Sequence, residues 1–132
     1  MINDSNSTME RKFDLEERCL DFSAAVLLFI NTMPSTPAGQ HLSRQLLRSG
    51  TNPALQYGEV VGAESKADFI HKMGIAHKEL RETRNNLRLQ VKAKIMDPDV
   101  TENAWMIKEC NELVLIFSAS IKTAKRNKLN EK

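Results

Sequence analysis

LLRSGTNPALQYGEVVGAESKADFIHKMGIAHKELRETRNNLRL, residues 46–89, decides the fold. Its second half places apolar side chains at Phe69, Met73, Ala76, Leu80 and Leu87, with the small Thr83 filling the gap. That alternation of three and four is the seam of a long packed helix. Its first half is rich in small residues (Ser49, Gly50, Thr51, Ala54, Gly58, Gly62, Ala63), which suit the close approach of a neighbouring backbone. A long helix beside a glycine-rich one is the germ of a bundle.

Working outward, 132 residues make one domain, with 41% apolar and 27% charged residues, an ordinary globular balance. Runs of β-branched and aromatic residues with period two are absent, so the chain reads as all-α. The net charge of +2 is unevenly spread. Residues 1–40 carry three Lys/Arg against six Asp/Glu, and residues 41–94 carry ten against five. Residues 95–132 balance at six each, so the positive charge belongs to the centre. Cys19 and Cys110 stand in separate apolar segments with no CxxC, which points to buried free thiols in a reducing compartment. The start, MINDSNSTMERK, has no basic-then-apolar signal pattern, and the run Ala24 to Ile30 is too short to span a bilayer. The expectation is a cytoplasmic protein with no membrane role.

Residues 1–12 read as a polar, flexible arm, residues 13–127 as a single bundle domain and residues 128–132 as a polar tail. Asp14 with Glu17 opens the first helix, which Pro34 and Pro37 stop near Thr32. Between Cys19 and Ile30 only Asp21 and Ser23 are polar, more apolar surface than one side of a bundle helix needs. Another subunit is the simplest cover. Thr36 and Pro37 open the second helix, with Leu42, Leu46, Leu55, Val60 and Val61 as its apolar pattern and a kink expected near Pro53. Gly58 and Gly62 are expected where another helix packs closely. Ser65 with Asp68 opens the third helix, which reaches about Ile95, ~45 Å at the standard rise. Asp99 with Glu102 caps the fourth, whose stripe is Ile107, Cys110, Val114, Phe117, Ile121 and Ala124; Lys122, Lys125, Arg126 and Lys128 suit its C-terminal dipole. Short connections imply an up-down-up-down antiparallel four-helix bundle.

The runs Gln45-Leu46-Leu47-Arg48-Ser49-Gly50-Thr51 and Gly62-Ala63-Glu64-Ser65-Lys66-Ala67-Asp68-Phe69-Ile70-His71-Lys72 carry a resemblance, joined by Lys78-Glu79, Glu82-Thr83 and the opening Phe13-Asp14-Leu15. Over about residues 13–125 the chain resembles the four-helix-bundle proteins encoded in intervening sequences of large-subunit (23S) rRNA genes. The resemblance implies a ring, typically a homopentamer, with no known enzymatic activity. A related group serves as accessory proteins of diversity-generating retroelements, binding nucleic acid and a reverse transcriptase. The chain departs from the pattern at Thr51-Asn52-Pro53-Ala54-Leu55, and at Asn85-Asn86, where an aromatic pair often stands.

His41, His71 and His77, with Glu64, Glu79 and Glu82, raise the question of a metal. Bundle metal sites use inward Glu-x-x-His pairs, which this chain lacks, and His71 and His77 lie off a shared face. No nucleophile elbow and no Gly-rich phosphate loop occurs, so no catalytic residue or cofactor is expected. The better signal is basic. At 100° per residue, Lys78, Arg81, Arg88 and Lys92 fall on one flank of the third helix, Arg84 lies nearer the seam, and Glu79 and Glu82 lie on the other flank. Such segregation suits phosphates, and with no aromatics interleaved the expected contacts avoid the bases. The plainer alternative is a solvated face serving solubility or ion pairs between subunits. The sequence therefore points to a non-enzymatic, homo-oligomeric bundle that acts as a scaffold with weak, sequence-indifferent affinity for RNA or DNA. The alternative is a protein-protein adaptor ring with no nucleic-acid role.

Overall fold

Three side-chain caps set the starts of the first three helices. Asp14 accepts the Glu17 amide at 3.0 Å, Thr36 the Gly39 amide at 3.1 Å, and Ser65 the Asp68 amide at 3.0 Å. Each replaces a partner that the first turn cannot supply from within the helix. In the computed structural model these caps open α1 (Leu15–Ile30), α2 (Pro37–Val61) and α3 (Lys66–Lys92), followed by α4 (Thr101–Asn130). The structure describes residues 14–130; the expected N-terminal arm, Phe13 and residues 131–132 lie outside them. All secondary structure among the described residues is helical.

The four helices enclose one core. Phe22 and Val26 of α1, Leu46 of α2, Met73, Leu80 and Leu87 of α3, and Leu113 and Phe117 of α4 are all buried. Tyr57 closes one side edge-on to Phe117, with ring centroids 6.1 Å apart. α2 and α3 run in opposite directions: Asn86 donates to Leu42 O and Thr83 to Ser49 Oγ, so α3 descends as α2 rises. Packing joins α1 to α2, α2 to α3, α3 to α4 and α4 to α1, leaving α1 and α3 on opposite corners.

As expected for a kink and not a loop, residues 50–54 are helical, and α2 carries through Pro53 without a break in secondary structure. Several other local expectations are corrected. Leu55 and Val61, read as part of the buried pattern, face outward at 75% and 67% exposure, while Val60 is buried. α3 ends at Lys92, before the expected Ile95, because the Ile95 amide turns back to Gln90 O and the Lys94 amide to Val91 O. That closure puts Lys94 in the left-handed region, φ 61°, where glycine is the usual residue. α4 begins at Thr101, with the Asp97 carboxylate holding the Asp99 amide at 2.9 Å. It runs to Asn130, so residues 128–130, expected as tail, are its last turn.

The glycines are the main correction. A Cβ on Gly58 would meet nothing within 4 Å, and one on Gly62 only ordinary contacts with its own helix. The close approach is at Gly50, where a Cβ would sit 2.7 Å from Val26 Cγ1. Val26 is fully buried and β-branched, so it has little room to turn away. Ser23 Oγ donates to Gly50 O at 2.8 Å at the same place. Opposite effects of one chemical change are therefore expected. Gly58→Ala should raise stability by up to ~1 kcal/mol through helix propensity. Gly50→Ala should lower it, because the ~1–3 kcal/mol of overpacking exceeds that gain. Urea unfolding of both variants checks this; a more stable Gly50→Ala would refute the close approach.

α1 reaches α4 through one forked ion pair. Arg18 Nε and Nη2 donate to the two Glu109 oxygens at 3.0 and 2.7 Å, with Glu112 3.6 Å away. The Glu109 side chain is only 9% exposed, so it relies on this partner. Arg18→Met should cost on the order of 2–3 kcal/mol, short of the ~3–5 kcal/mol of a fully buried pair. Adding Glu109→Gln should recover part of the loss, which a double-mutant cycle by thermal melting would read.

Candidate nucleic-acid interface

The two flanks of α3 differ in what faces them. Toward α2, Arg48 Nη1 bonds Glu79 Oε1 at 2.6 Å and Arg48 Nη2 bonds Glu82 Oε2 at 3.0 Å. The two acids of the helix middle are thus tied to an arginine of the neighbouring helix. The same flank buries polar side chains: Thr83, Asn86 and Gln90 accompany Glu79, with Gln90 Nε2 donating to Asn86 Oδ1 at 2.6 Å.

The other flank turns toward α4 and solvent. Lys78, Arg81, Arg88 and Lys92 are exposed, and Arg84 is half-buried. Lys78 stands 4.0 Å from Glu82, a loose contact. Arg81, Arg84, Arg88 and Lys92 form no ion pair among the described residues, whereas Arg18, Arg48 and Lys72 each have an acid within 3.0 Å. The structure brings the five expected cations onto one helix side.

Between this flank and α4 lies a cleft of about 350 Å³. Arg84, Arg88 and Lys92 edge it from α3. Leu87, Val91, Ile107 and Pro98 supply apolar walls, and Cys110 and Asn111 lie across from the arginines. Arg84 Nε is buried and has no hydrogen-bond partner. Sequence reading placed Arg84 near the seam but missed the α4 side of the cleft. Asn111 carries no local signal, since only the pairing of α3 with α4 brings it there. Lys125 and Lys128 lie elsewhere, against Ala67 and Ile70 at the start of α3.

The remaining chemistry is quiet. Burial pushes the thiols of Cys19 and Cys110 up to about 12, so neither is a thiolate near neutral pH. Both are free. Among the described residues no three His, Cys, Asp or Glu side chains converge to hold a metal ion, and no helix is long and apolar enough to cross a membrane.

Residues 11–119 match the family described as 23S rRNA-intervening sequence protein. The chain belongs to that family. A solved structure similar to this intervening-sequence protein comes from Bacteroides thetaiotaomicron, a protein with unknown function from the S23 ribosomal protein family. The two share 26% identity and superpose with a TM-score of 0.73, covering 82% of this chain and 98% of the other. Among curated proteins, none matches the intervening-sequence protein.

His77 reports on the basic flank. Burial, and then the charges of Arg81 and Arg84, hold its pKa below 6.5. A depressed folded value means that the unfolded chain binds the proton more readily. The stability contributed by neutral His77 is therefore complete above 6.5 and is lost as pH falls through the lower folded value. Replacing Arg81 and Arg84 by Gln should raise the imidazole pKa yet leave it under 6.5, since burial is the larger cause. An NMR titration in which the double variant tracks the native protein would show that the flank's field does not reach the imidazole.

Proposed function

We propose that this intervening-sequence protein is a non-enzymatic, self-associating helical scaffold that holds nucleic acid weakly and without sequence preference along α3. The observation that carries the reading is the alignment of Lys78, Arg81, Arg84, Arg88 and Lys92 along one side of α3, where the last four form no ion pair among the described residues and Lys78 has only a loose one. Such cations attract phosphates by releasing condensed counterions, a force blind to sequence. Lys78 to Lys92 spans about four turns, ~20 Å, enough to follow a strand.

Self-association is supported by α1. Leu20, Leu27 and Leu28 are 46%, 45% and 69% exposed, and with Ala24 they form one stripe along the helix. Near its end, Leu28 and Phe29 face Trp105 and Met106 of α4 across an apolar hollow of about 650 Å³. Water-exposed leucines in register suit burial against further copies, and the family resemblance sets the expected number at five. The same stripe would serve an adaptor that binds only protein, and salt separates the two readings.

Light scattering should give a multiple of the 15.0 kDa chain, fivefold by that expectation, and Leu28→Lys should dissociate it. Binding to an oligonucleotide should weaken steeply with salt, with a log–log slope near −3 for about four phosphate contacts. Exchange of Lys78, Arg81, Arg88 and Lys92 for Gln should abolish binding while leaving the assembly whole. No binding at low ionic strength would favour the adaptor.

A further inference from the structure

We infer that the cleft between α3 and α4 receives one unpaired nucleotide, its base between the apolar walls and its phosphates along Arg84, Arg88 and Lys92. This deepens the nucleic-acid reading and rests on it. A surface that only tracks phosphates needs exposed charge and nothing behind it. Here the three cations edge a cleft walled by Leu87, Val91, Ile107 and Pro98, large enough for a base and its sugar.

Three details favour a nucleotide over other anions. Arg84, Arg88 and Lys92 recur every four residues, ~6 Å apart along the helix, a row matched to a chain of repeated anions and not to one carboxylate. Arg84 Nε is a buried donor without an acceptor, a costly state that a bound polar group would relieve. Asn111 offers both a donor and an acceptor at the rim, as the edge of a base requires. Arginine planes also stack on bases, which answers the absence of aromatics. No carboxylate lines the cleft to repel phosphate. A duplex keeps its bases stacked and paired, so only an unpaired nucleotide fills the site. The protein should thus prefer single strands to duplexes.

The test is fluorescence anisotropy at low salt with three probes of equal phosphate number: a single-stranded oligonucleotide, a duplex of half its length, and a strand of abasic sites as long as the first. The native oligomer should bind the single strand about tenfold more tightly than the abasic strand. Asn111→Trp fills the cleft from an exposed position and leaves every cation in place. It should remove that preference while leaving affinity for the abasic strand unchanged. Arg84→Gln should weaken all three probes. Equal binding of the normal and abasic strands by the native protein, which needs no variant, would overturn the base site while the phosphate track stands. If no probe binds, the nucleic-acid reading itself falls and the base site with it.

Discussion

The bundle is organised around the level of Ser49 and Gly50. There the backbone of α2 comes so close to α1 that Val26 occupies the space a side chain would need. On one side Ser23 donates to Gly50 O, and on the other Thr83 Oγ1 lies 2.9 Å from Ser49 Oγ. All of these groups are buried, so a slip of any helix would strand hydroxyls or a carbonyl away from water. One residue without a side chain, flanked by paired hydroxyls, thus sets the level at which three helices meet. Pro53 is tolerated just beyond: it costs α2 the hydrogen bond to Ser49 O, but the helix is held from both sides where that bond is lost.

This constraint also explains the electrostatic asymmetry of α3. Because α2 lies close, the side of α3 that faces it carries short or amide side chains, Thr83, Asn86 and Gln90, together with Glu79 held by Arg48. Acids are consumed on that side. Lys78, Arg81, Arg84, Arg88 and Lys92 are left on the side facing α4 and solvent, where the loose contact of Lys78 with Glu82 is their one ion pair among the described residues. A net charge of +2 for the whole chain therefore coexists with a concentrated basic flank.

Much of this was legible in the sequence. Asp14, Thr36 and Ser65 are short polar residues placed before apolar periodicity, and each caps its helix as chemistry dictates. The seam at Met73, Ala76, Leu80, Thr83 and Leu87 is buried as its spacing requires. What failed was whatever depends on a partner far along the chain. Gly58 and Gly62 look as fit for close packing as Gly50, but only Gly50 has a helix opposite it. Leu55 and Val61 are apolar yet face outward, and Asn86 and Gln90 are polar yet buried, because crossing geometry outweighs residue type. Lys94 adopts a glycine conformation at the end of α3, which no lysine announces. The cations of the candidate interface were readable as a stripe on one helix. Its cleft was not, since Ile107 and Asn111 come from another helix.

The corner arrangement bears on how the two proposed activities could coexist. α1 and α3 do not pack on one another; each touches α2 and α4. The outward leucines of α1 and the outward cations of α3 therefore belong to opposite corners of the bundle. Copies joined through α1 would keep α3 directed away from the contact, so assembly would not need to bury charge to bury apolar surface. Each added copy would also bring another basic flank to the same particle. Weak phosphate contacts that are linked in this way gain affinity from proximity alone, without any improvement in a single site. A small bundle with modest charge can hold a long polyanion on that basis, provided that its sticky face and its charged face stay apart.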